Sequence, residues 1–261
     1  MSDNIFTHWI ENQKSLNFEH PIAIAVSGGP DSMALAAMAA AWGNDTGIDI
    51  HVITVDHGLR DAAKTESKMV ADWVSSQNMD GIHHVVLNWQ EDKPDTAIME
   101  AARMARYALM AEYCADHNIQ NLFVAHHQDD QAETFLIRLA KGSGLDGLGA
   151  MNDVRDYNDT LKIIRPFLNV PKQELIDYCD QHKIPYVNDP SNENAAYMRP
   201  RLRQSMAVLA EEGLTAKRLA MTAKRLGRAR QALEDISNSA YQACLMNQTD
   251  QMRSFNFSAL Q

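Results

Sequence analysis

Short apolar runs alternate along the chain with longer stretches in which apolar residues recur at helical spacing. The runs are rich in β-branched residues, which is typical of buried strands. We predict strands near 22–26, 50–55, 83–87, 121–125 and 161–164. We predict helices over 31–42, 62–78, 97–117, 129–141 and 171–183, with Thr96 as the N-cap of the third. Strands that alternate with helices in this way indicate βα units stacked into a parallel sheet.

The chain changes character from about Tyr197 onwards. Ala, Leu, Arg, Lys and Glu dominate there, and no strand-like run follows until 254–257. We therefore predict one domain over 1–210 and a helical extension over 211–261. Between Arg199 and Arg230 nine basic residues face two acids, a local balance of +7 in a chain of net charge −10. Such a segment suits RNA phosphates, and a solvated basic helix is the alternative.

Composition narrows the class of protein. A chain of 261 residues with 45% apolar residues can bury a real core. It shows neither a signal-peptide pattern nor an apolar run long enough to span a membrane, so we expect a cytosolic protein. Three cysteines about 65 positions apart predict neither a disulfide framework nor a zinc site.

The sequence SGGPDS (27–32) joins the first predicted strand to the first predicted helix. Its glycines permit close backbone approach, and the helix directs free N–H groups back at the turn, so the corner suits an anion. Pro30 fits the first helical turn, and the two serines can donate to phosphate oxygens. Asp31 would repel phosphate unless Mg²⁺ lay between them. A glycine-rich turn with a capping acid is the alternative.

A second cluster follows the fourth predicted strand, where paired histidines precede several acids in AHHQDDQAETFLIRLAKGSGLDGLGAM (125–151). Asp130 and Glu133 are three positions apart, and Asp129 and Glu133 are four apart, so carboxylates crowd one helical turn. The helix dipole alone favours such acids by about 0.3–1 kcal/mol each. A cluster of this kind also suits an ammonium group or Mg²⁺. The histidines either line the site or are satisfied core residues.

Glu100, Arg103 and Arg106 recur at three-residue steps on the third predicted helix. This spacing places them on one face, where an intrahelical ladder of ion pairs is one interpretation. The arginines can instead contact phosphate or a nucleobase.

Three motifs, SGGxDS, VDHGLR (55–60) and the 125–151 stretch, together resemble the N-type ATP pyrophosphatases of the PP-loop superfamily, and within them the tRNA(Ile)-lysidine synthetase family. The resemblance covers about 20–205. It implies an α/β fold, a Rossmann-like parallel sheet with helices on both faces. The implied reaction is ATP-dependent ligation of lysine to C2 of the wobble cytidine (position 34) of tRNA(Ile) with a CAU anticodon, through an adenylated cytidine. AMP and pyrophosphate are released.

The same resemblance implies roles for particular residues. ATP would be bound by Ser27, Gly28, Gly29, Pro30, Asp31, Ser32, Asp56, His57, His126 and His127. Catalytic groups would be Asp31, Asp130, Glu133 and Arg103. The tRNA would contact Arg106, Arg199, Arg201 and Arg203. Mg²⁺ would bind at Asp31, L-lysine is the second substrate, no membrane is involved, and homodimer formation stays open.

Two features depart from the family pattern. Pro200 stands where the family commonly has Asn, which leaves the role of Arg199 open. Many members continue into further C-terminal domains, so a cut chain is expected to keep adenylation and to select tRNA less well. Rival interpretations are another PP-loop tRNA-modifying or amide-forming synthetase, a nucleotide-binding regulatory module, and a plain RNA-binding protein.

Overall fold

A six-stranded sheet forms the centre of the protein. The computed structural model describes residues 5–56, 62–77, 81–90, 98–187, 198–248 and 253–256. The sheet strands are β1 (Ile22–Ala25), β2 (Ile50–Asp56), β3 (Ile82–Asn88), β4 (Asn121–Val124), β5 (Val154–Asp156) and β6 (Lys162–Ile164). Their order is β3-β2-β1-β4-β6-β5, and β5 alone runs antiparallel to its neighbour.

Helices connect these strands and continue into the C-terminal part. They are α1 (Ile5–Glu11), α2 (Pro30–Thr46), α3 (Ala62–Ser76), α4 (Ile98–Asp116), α5 (Gln128–Ala140), α6 (Leu145–Leu148), α7 (Lys172–Gln181), α8 (Met198–Glu211) and α9 (Ala216–Cys244). A two-stranded hairpin follows, with strands β7 (Leu245–Gln248) and β8 (Arg253–Phe255). Among the helices of the described segments, none is long and apolar enough to cross a membrane.

The predicted α/β class is confirmed, and each predicted strand and helix has a counterpart in the structure. The pattern missed α1, α6 and β5, which have 7, 4 and 3 residues and therefore little periodicity to detect. The expected N-cap Thr96 lies outside the described residues. The prediction of a helical tail was incomplete, because β7 and β8 follow its last helix.

The two faces of the sheet bury separate clusters. Ile22 and Ile24 of β1 pack into a cluster with Phe6, α2 and α7, whereas Ala23 packs with Tyr107 and Met110 of α4 on the other face. This alternation follows from the period of two along a strand, and it explains why the central strands are apolar throughout. Helices therefore cover both faces, as predicted.

The order of the strands creates one place suited to a ligand. From β1 the chain proceeds outward to β2 and β3, and then returns to β4 on the other side of β1. In open α/β sheets, ligands bind at the carboxyl ends of the strands where the order reverses in this way. Ala25 is in register with Val124. The loops that follow β1 and β4 are therefore neighbours.

Helix α9 packs against α5 and α6 through a third cluster. Ala132 and Phe135 of α5 meet Leu219 and Ala223 of α9 there. At Gly149 the backbones are so close that an added Cβ would lie 3.1 Å from the Cα of Gly227. Glycine at this place in the 142–151 segment therefore allows α9 to contact the helix that carries the acid cluster.

Candidate functional site

The SGGPDS corner forms a tight turn between β1 and α2. Gly28 has φ 83°, in the left-handed region that favours glycine. Ser32 Oγ accepts from the Ser27 backbone N–H (3.2 Å) and donates to the Gly29 carbonyl (3.0 Å). The hydroxyl of Ser32 therefore supports the turn itself. No side chain caps α2 at Gly29, and Oδ1 of Asp31 is buried without a hydrogen-bond partner in the described part of the chain.

His127 lies among three carboxylates. Its Nε2 is 3.5 Å from Asp31 Oδ2 and 3.4 Å from Asp130 Oδ2, and its Nδ1 is 3.6 Å from Asp129 Oδ2. Burial of this 3% exposed residue opposes protonation, but the carboxylates of Asp129, Asp31 and Asp130 beside the ring outweigh it and raise the pKa of His127 to about 10. An imidazolium thus joins the corner after β1 to the acids of α5.

His126, the preceding residue, is neutral where His127 is charged. Arg165 Nε donates to its Nδ1 at 3.2 Å. Burial lowers the pKa of His126 to about 3. The positive charges of Arg165, Arg103 and Arg106 also lower it, whereas the negative charge of Asp130 raises it. At neutral pH His126 is therefore neutral, because it is buried among guanidinium groups. His127 is charged, because it lies among carboxylates.

The first two acids of α5 also stabilise local structure. Asp130 Oδ2 accepts from the His127 backbone N–H at 3.1 Å, and Asp129 Oδ2 accepts from the Lys172 backbone N–H at 3.0 Å. The nearby ring of His127 contributes most to lowering the pKa of Asp129, although burial opposes this shift. The same two acids thus support local structure and lie beside the His127 ring.

Glu133 forms an ion pair with Arg203 of α8. Nε of Arg203 lies 2.5 Å from Oε1 and Nη2 lies 3.3 Å from Oε2, while Nη2 is 3.9 Å from Asp130 Oδ1. Although burial opposes it, the hydrogen bond to Glu133 raises the pKa of Arg203. Arg199 donates to Thr134 Oγ1 at 3.5 Å. Arg203, predicted for tRNA, thus contacts the acid predicted for the amine substrate.

The intrahelical ladder of ion pairs, one of the two interpretations of the spacing on α4, does not form. Within the described residues Glu100 makes no ion pair with Arg103 or Arg106. Instead Cζ of Arg103 and of Arg106 lie 5.3 and 5.5 Å from the ring centroid of Tyr107. The arginines therefore crowd an aromatic side chain rather than a carboxylate.

The remaining predicted residues are placed as follows. Asp56 ends β2 at the carboxyl edge of the sheet, and Arg201 lies exposed on α8. His57 and most of the VDHGLR motif are outside the described residues. In the basic segment Arg230 donates to Asp146 O, and Lys224 to Asn169 Oδ1. Some basic side chains of this segment thus contact other parts of the protein.

Arg165 was missed by the sequence analysis. It follows β6 directly, is 4% exposed, and its Nη1 donates to Asn152 O at 3.0 Å. Its position in the sequence could have indicated it, because Arg165 is a charged residue directly after an apolar strand. Ligands of open α/β sheets bind at the carboxyl ends of the strands.

Fold and geometry together define an α/β protein with a glycine-rich strand-to-helix corner at the point where the strand order reverses. A family model described as a PP-loop domain matches residues 3–209. The chain belongs to the PP-loop family.

The similar proteins carry a more specific name than the family does. The chain is 40% identical over 246 residues to the tRNA(Ile)-lysidine synthase of Bradyrhizobium diazoefficiens, covering 91% of this chain and 67% of that protein. It is 43% identical to that of Rhodopseudomonas palustris (85% and 63% covered) and 34% identical to that of Wolbachia pipientis wMel (87% and 52%). The resemblance predicted from the motifs is confirmed. The chain thus spans between about half and two thirds of the length of these relatives.

A solved structure supports the fold. A U34-tRNA thiolase from Methanococcus maripaludis superposes with a TM-score of 0.68 at 16% identity, covering 86% of this chain and 80% of that one. At this identity the likeness shows a shared fold.

Proposed function

We propose that the chain is an ATP-dependent carbon–nitrogen ligase acting in tRNA modification. It attaches the ε-amine of L-lysine to C2 of the wobble cytidine of tRNA(Ile) with a CAU anticodon, and a substrate of this kind implies a cytoplasmic location. The observation that carries the proposal is His127, which lies within 3.5 Å of both Asp31 and Asp130. The two most specific motifs of the sequence therefore form one site. The relatives named tRNA(Ile)-lysidine synthase supply the reaction.

The SGGPDS corner fits the phosphates of ATP. Its uncapped helix start and the left-handed Gly28 offer backbone N–H groups to an anion. The buried Oδ1 of Asp31 lacks a partner in the described residues, as expected of a carboxylate kept for a cation. No group of three or more described His, Cys, Asp or Glu residues can hold a metal alone. Asp31 would hold the Mg²⁺ that ATP brings, and the ion would neutralise phosphate charge there.

The reaction divides into two transfers. The C2 oxygen of cytidine attacks the α-phosphorus of ATP, and pyrophosphate leaves. The lysine amine, after losing a proton, then attacks C2, and AMP departs with the electrons of the C2–O bond. Pairing with Asp130 and Glu133 would hold the incoming ammonium. For Glu133 this requires Arg203 to move, because its guanidinium contacts that carboxylate in the free protein.

The exposed basic residues of α8 and α9 are proposed to contact the tRNA backbone. Arg201, Lys217, Arg225 and Arg228 are exposed there. They lie on helices that pack on α5, so phosphate contacts would position the anticodon near the acids. We place the division between the PP-loop domain and the extension at residue 210.

The test is ATP-dependent transfer of labelled lysine to a tRNA(Ile) transcript with the CAU anticodon, with pyrophosphate release measured in parallel. We expect both signals from the wild-type chain and neither from Asp31→Ala. The matched control is Asp45→Ala, which removes an exposed acid from the other end of α2.

A second transcript with uridine at the wobble position checks the nucleoside. Lysine transfer to both transcripts would contradict selection of cytidine. Pyrophosphate release without lysine transfer would point to another PP-loop synthetase with a different nucleophile, and the absence of both signals would contradict the ligase.

A further inference from the structure

The residues 146–152, here called the glycine segment, are held by side chains of α5. Arg138 donates through Nη1 to the carbonyls of Gly147 (2.7 Å) and Ala150 (2.9 Å). Gln131 donates through Nε2 to the carbonyl of Met151 (2.6 Å) and accepts from its backbone N–H at Oε1 (2.9 Å). Because α6 has only four residues, these side chains supply partners for backbone groups that no strand or long helix pairs.

Arg230 of α9 holds both ends of the same segment. Its Nη1 donates to the carbonyl of Asp146 at 3.1 Å, and its Nη2 donates to Oδ1 of Asn152 at 3.3 Å. The Arg230 side chain is 17% exposed, whereas the nine residues that follow it on α9 are all exposed. A guanidinium is a rigid fork of donors, so it fixes the two acceptors relative to each other. Arg230 thus fastens the glycine segment to the predicted extension.

Asn152 connects this arginine to the site. Its side-chain Oδ1 accepts from Arg230, and its backbone carbonyl accepts from Nη1 of Arg165 at 3.0 Å. Arg165 donates through Nε to His126. One residue therefore links a side chain of α9 to a guanidinium that contacts the loop after β4.

A second contact leads from the glycine segment to the acid cluster. Met151 is bonded to Gln131, which is 4% exposed and directly follows Asp130 in the first turn of α5. Asp130 lies 3.4 Å from the His127 ring. A shift at residues 151 and 152 would therefore reach both the carboxylates of α5 and the guanidinium of Arg165.

We propose that Arg230 is a positioning residue of the site. Through Asn152 it orients Arg165, and through the rest of the glycine segment it holds the first turn of α5. The proposal rests on the proposed function only for the reaction that this geometry serves. Helix α9 is then part of the construction of the site, in addition to its proposed contacts with tRNA.

A general structural role makes a different prediction. If Arg230 only fastened α9 to the domain, its removal would lower the stability of the whole fold. A positioning role confines the change to the glycine segment and to Arg165. Hydrogen exchange distinguishes the two roles, because it reports local opening separately from global unfolding.

The first experiment measures hydrogen exchange by NMR in the free protein. The Met151 amide and the Nε–H of Arg165, both hydrogen-bonded to side chains, are the reporters. The amide of Val52, in β2 between two paired strands, is the reference for global unfolding. In Arg230→Met we expect both reporters to exchange about fivefold faster or more, the factor that corresponds to the loss of one net hydrogen bond. The reference should not change.

Two further variants test the route. Asn152→Ala removes the side chain that Arg230 contacts but keeps the backbone carbonyl that Arg165 contacts, so exchange at Arg165 should again be faster. The double variant should exchange no faster there than Arg230→Met alone, since both changes break the same contact. Arg218→Met is the matched control, because Arg218 of α9 also donates to a backbone carbonyl at 3.1 Å, that of Gly213, outside the glycine segment.

Each outcome of the exchange experiment decides the proposal. Unchanged exchange at both reporters in Arg230→Met overturns it. Equal acceleration of the reporters and of the Val52 amide also overturns it, since Arg230 would then only stabilise the fold. Wild-type exchange at Arg165 in Asn152→Ala overturns the route through Asn152. These measurements need no substrate, so their result does not depend on whether lysine transfer is observed.

Kinetics then connect these contacts to the reaction. In Arg230→Met we expect kcat for lysine transfer to fall about tenfold, because small displacements of positioned groups slow a reaction. The affinity for ATP and Mg²⁺ should be unchanged, since the SGGPDS corner keeps its contacts, and Arg218→Met should keep the wild-type kcat. A wild-type kcat in Arg230→Met would overturn the positioning role. Absence of lysine transfer in the wild type would instead contradict the proposed function.

Discussion

Arg203 and Glu133 lie 70 positions apart and form an ion pair with two hydrogen bonds, in which the carboxylate is almost fully buried and the guanidinium is 38% exposed. The pair joins α8 to the acid cluster of α5. The same carboxylate is the proposed receptor for the substrate amine, so one contact links the folding of α8 to access to the site.

The energy of this pair can be measured by a double-mutant cycle. We expect Glu133→Gln and Arg203→Met each to lower the free energy of unfolding, with a coupling of about 1–2 kcal/mol, below that of a fully buried pair because the guanidinium contacts solvent. Urea denaturation of the two single variants and the double variant provides the numbers. Additive effects would show that the contact contributes nothing.

The close approach of α6 and α9 predicts an asymmetry between two glycines. In Gly149→Ala the new Cβ would lie 3.1 Å from backbone Cα of Gly227, so the helices must separate and stability should fall. In Gly227→Ala the closest atom is 3.6 Å away, an ordinary contact, and helix propensity should raise stability by up to about 1 kcal/mol. Thermal melts of both variants test this. Equal effects would contradict the packing.

The corner glycine is expected to matter for ATP rather than for stability alone. Gly28→Ala and Gly142→Ala both place Ala at positive φ (83° and 71°), which costs about 1–2 kcal/mol in either position. Only Gly28 belongs to the proposed phosphate site. Calorimetric titration with ATP and Mg²⁺ should show loss of binding in the first variant and wild-type affinity in the second. Loss of ATP binding in both would point to general unfolding.

Stability should fall in mild acid because of His51. Burial lowers the pKa of His51 below 6.5, and the charges of His83 and His117 lower it further, whereas Asp49 raises it. The Nδ1 of His51 also lies 2.8 Å from the Tyr113 hydroxyl. Below about pH 6.5 the unfolded chain therefore binds a proton that the folded chain does not, and stability decreases as the pH falls. Above that pH the contribution is fully present.

Melting temperatures between about pH 7 and pH 5 test this sign. The decrease should be smaller in His51→Gln, which removes the titrating ring but keeps a polar group near Tyr113. Since burial is the largest cause, the difference should persist at high salt. An equally steep decrease in the variant would assign the acid sensitivity to other groups.

Local patterns in the sequence determined the order of strands and helices and the two site motifs. Five runs rich in apolar and β-branched residues predicted β1, β2, β3, β4 and β6, because such residues are enriched in strands. The glycines and Asp31 of SGGPDS indicated an anion corner, because backbone freedom and the start of a helix are properties of adjacent residues. The short β5 and α6 escaped detection, since three or four residues carry no period.

Tertiary structure alone decided how these parts combine. Nothing local distinguishes His126 from His127, yet one is neutral among arginines and the other charged among carboxylates. The resemblance assigned Arg203 to the tRNA, and only the packing of α8 shows that this side chain also contacts Glu133. Charge state and pairing depend on burial and on groups that lie far apart along the chain, and such distances exist only once the sheet and α9 have packed.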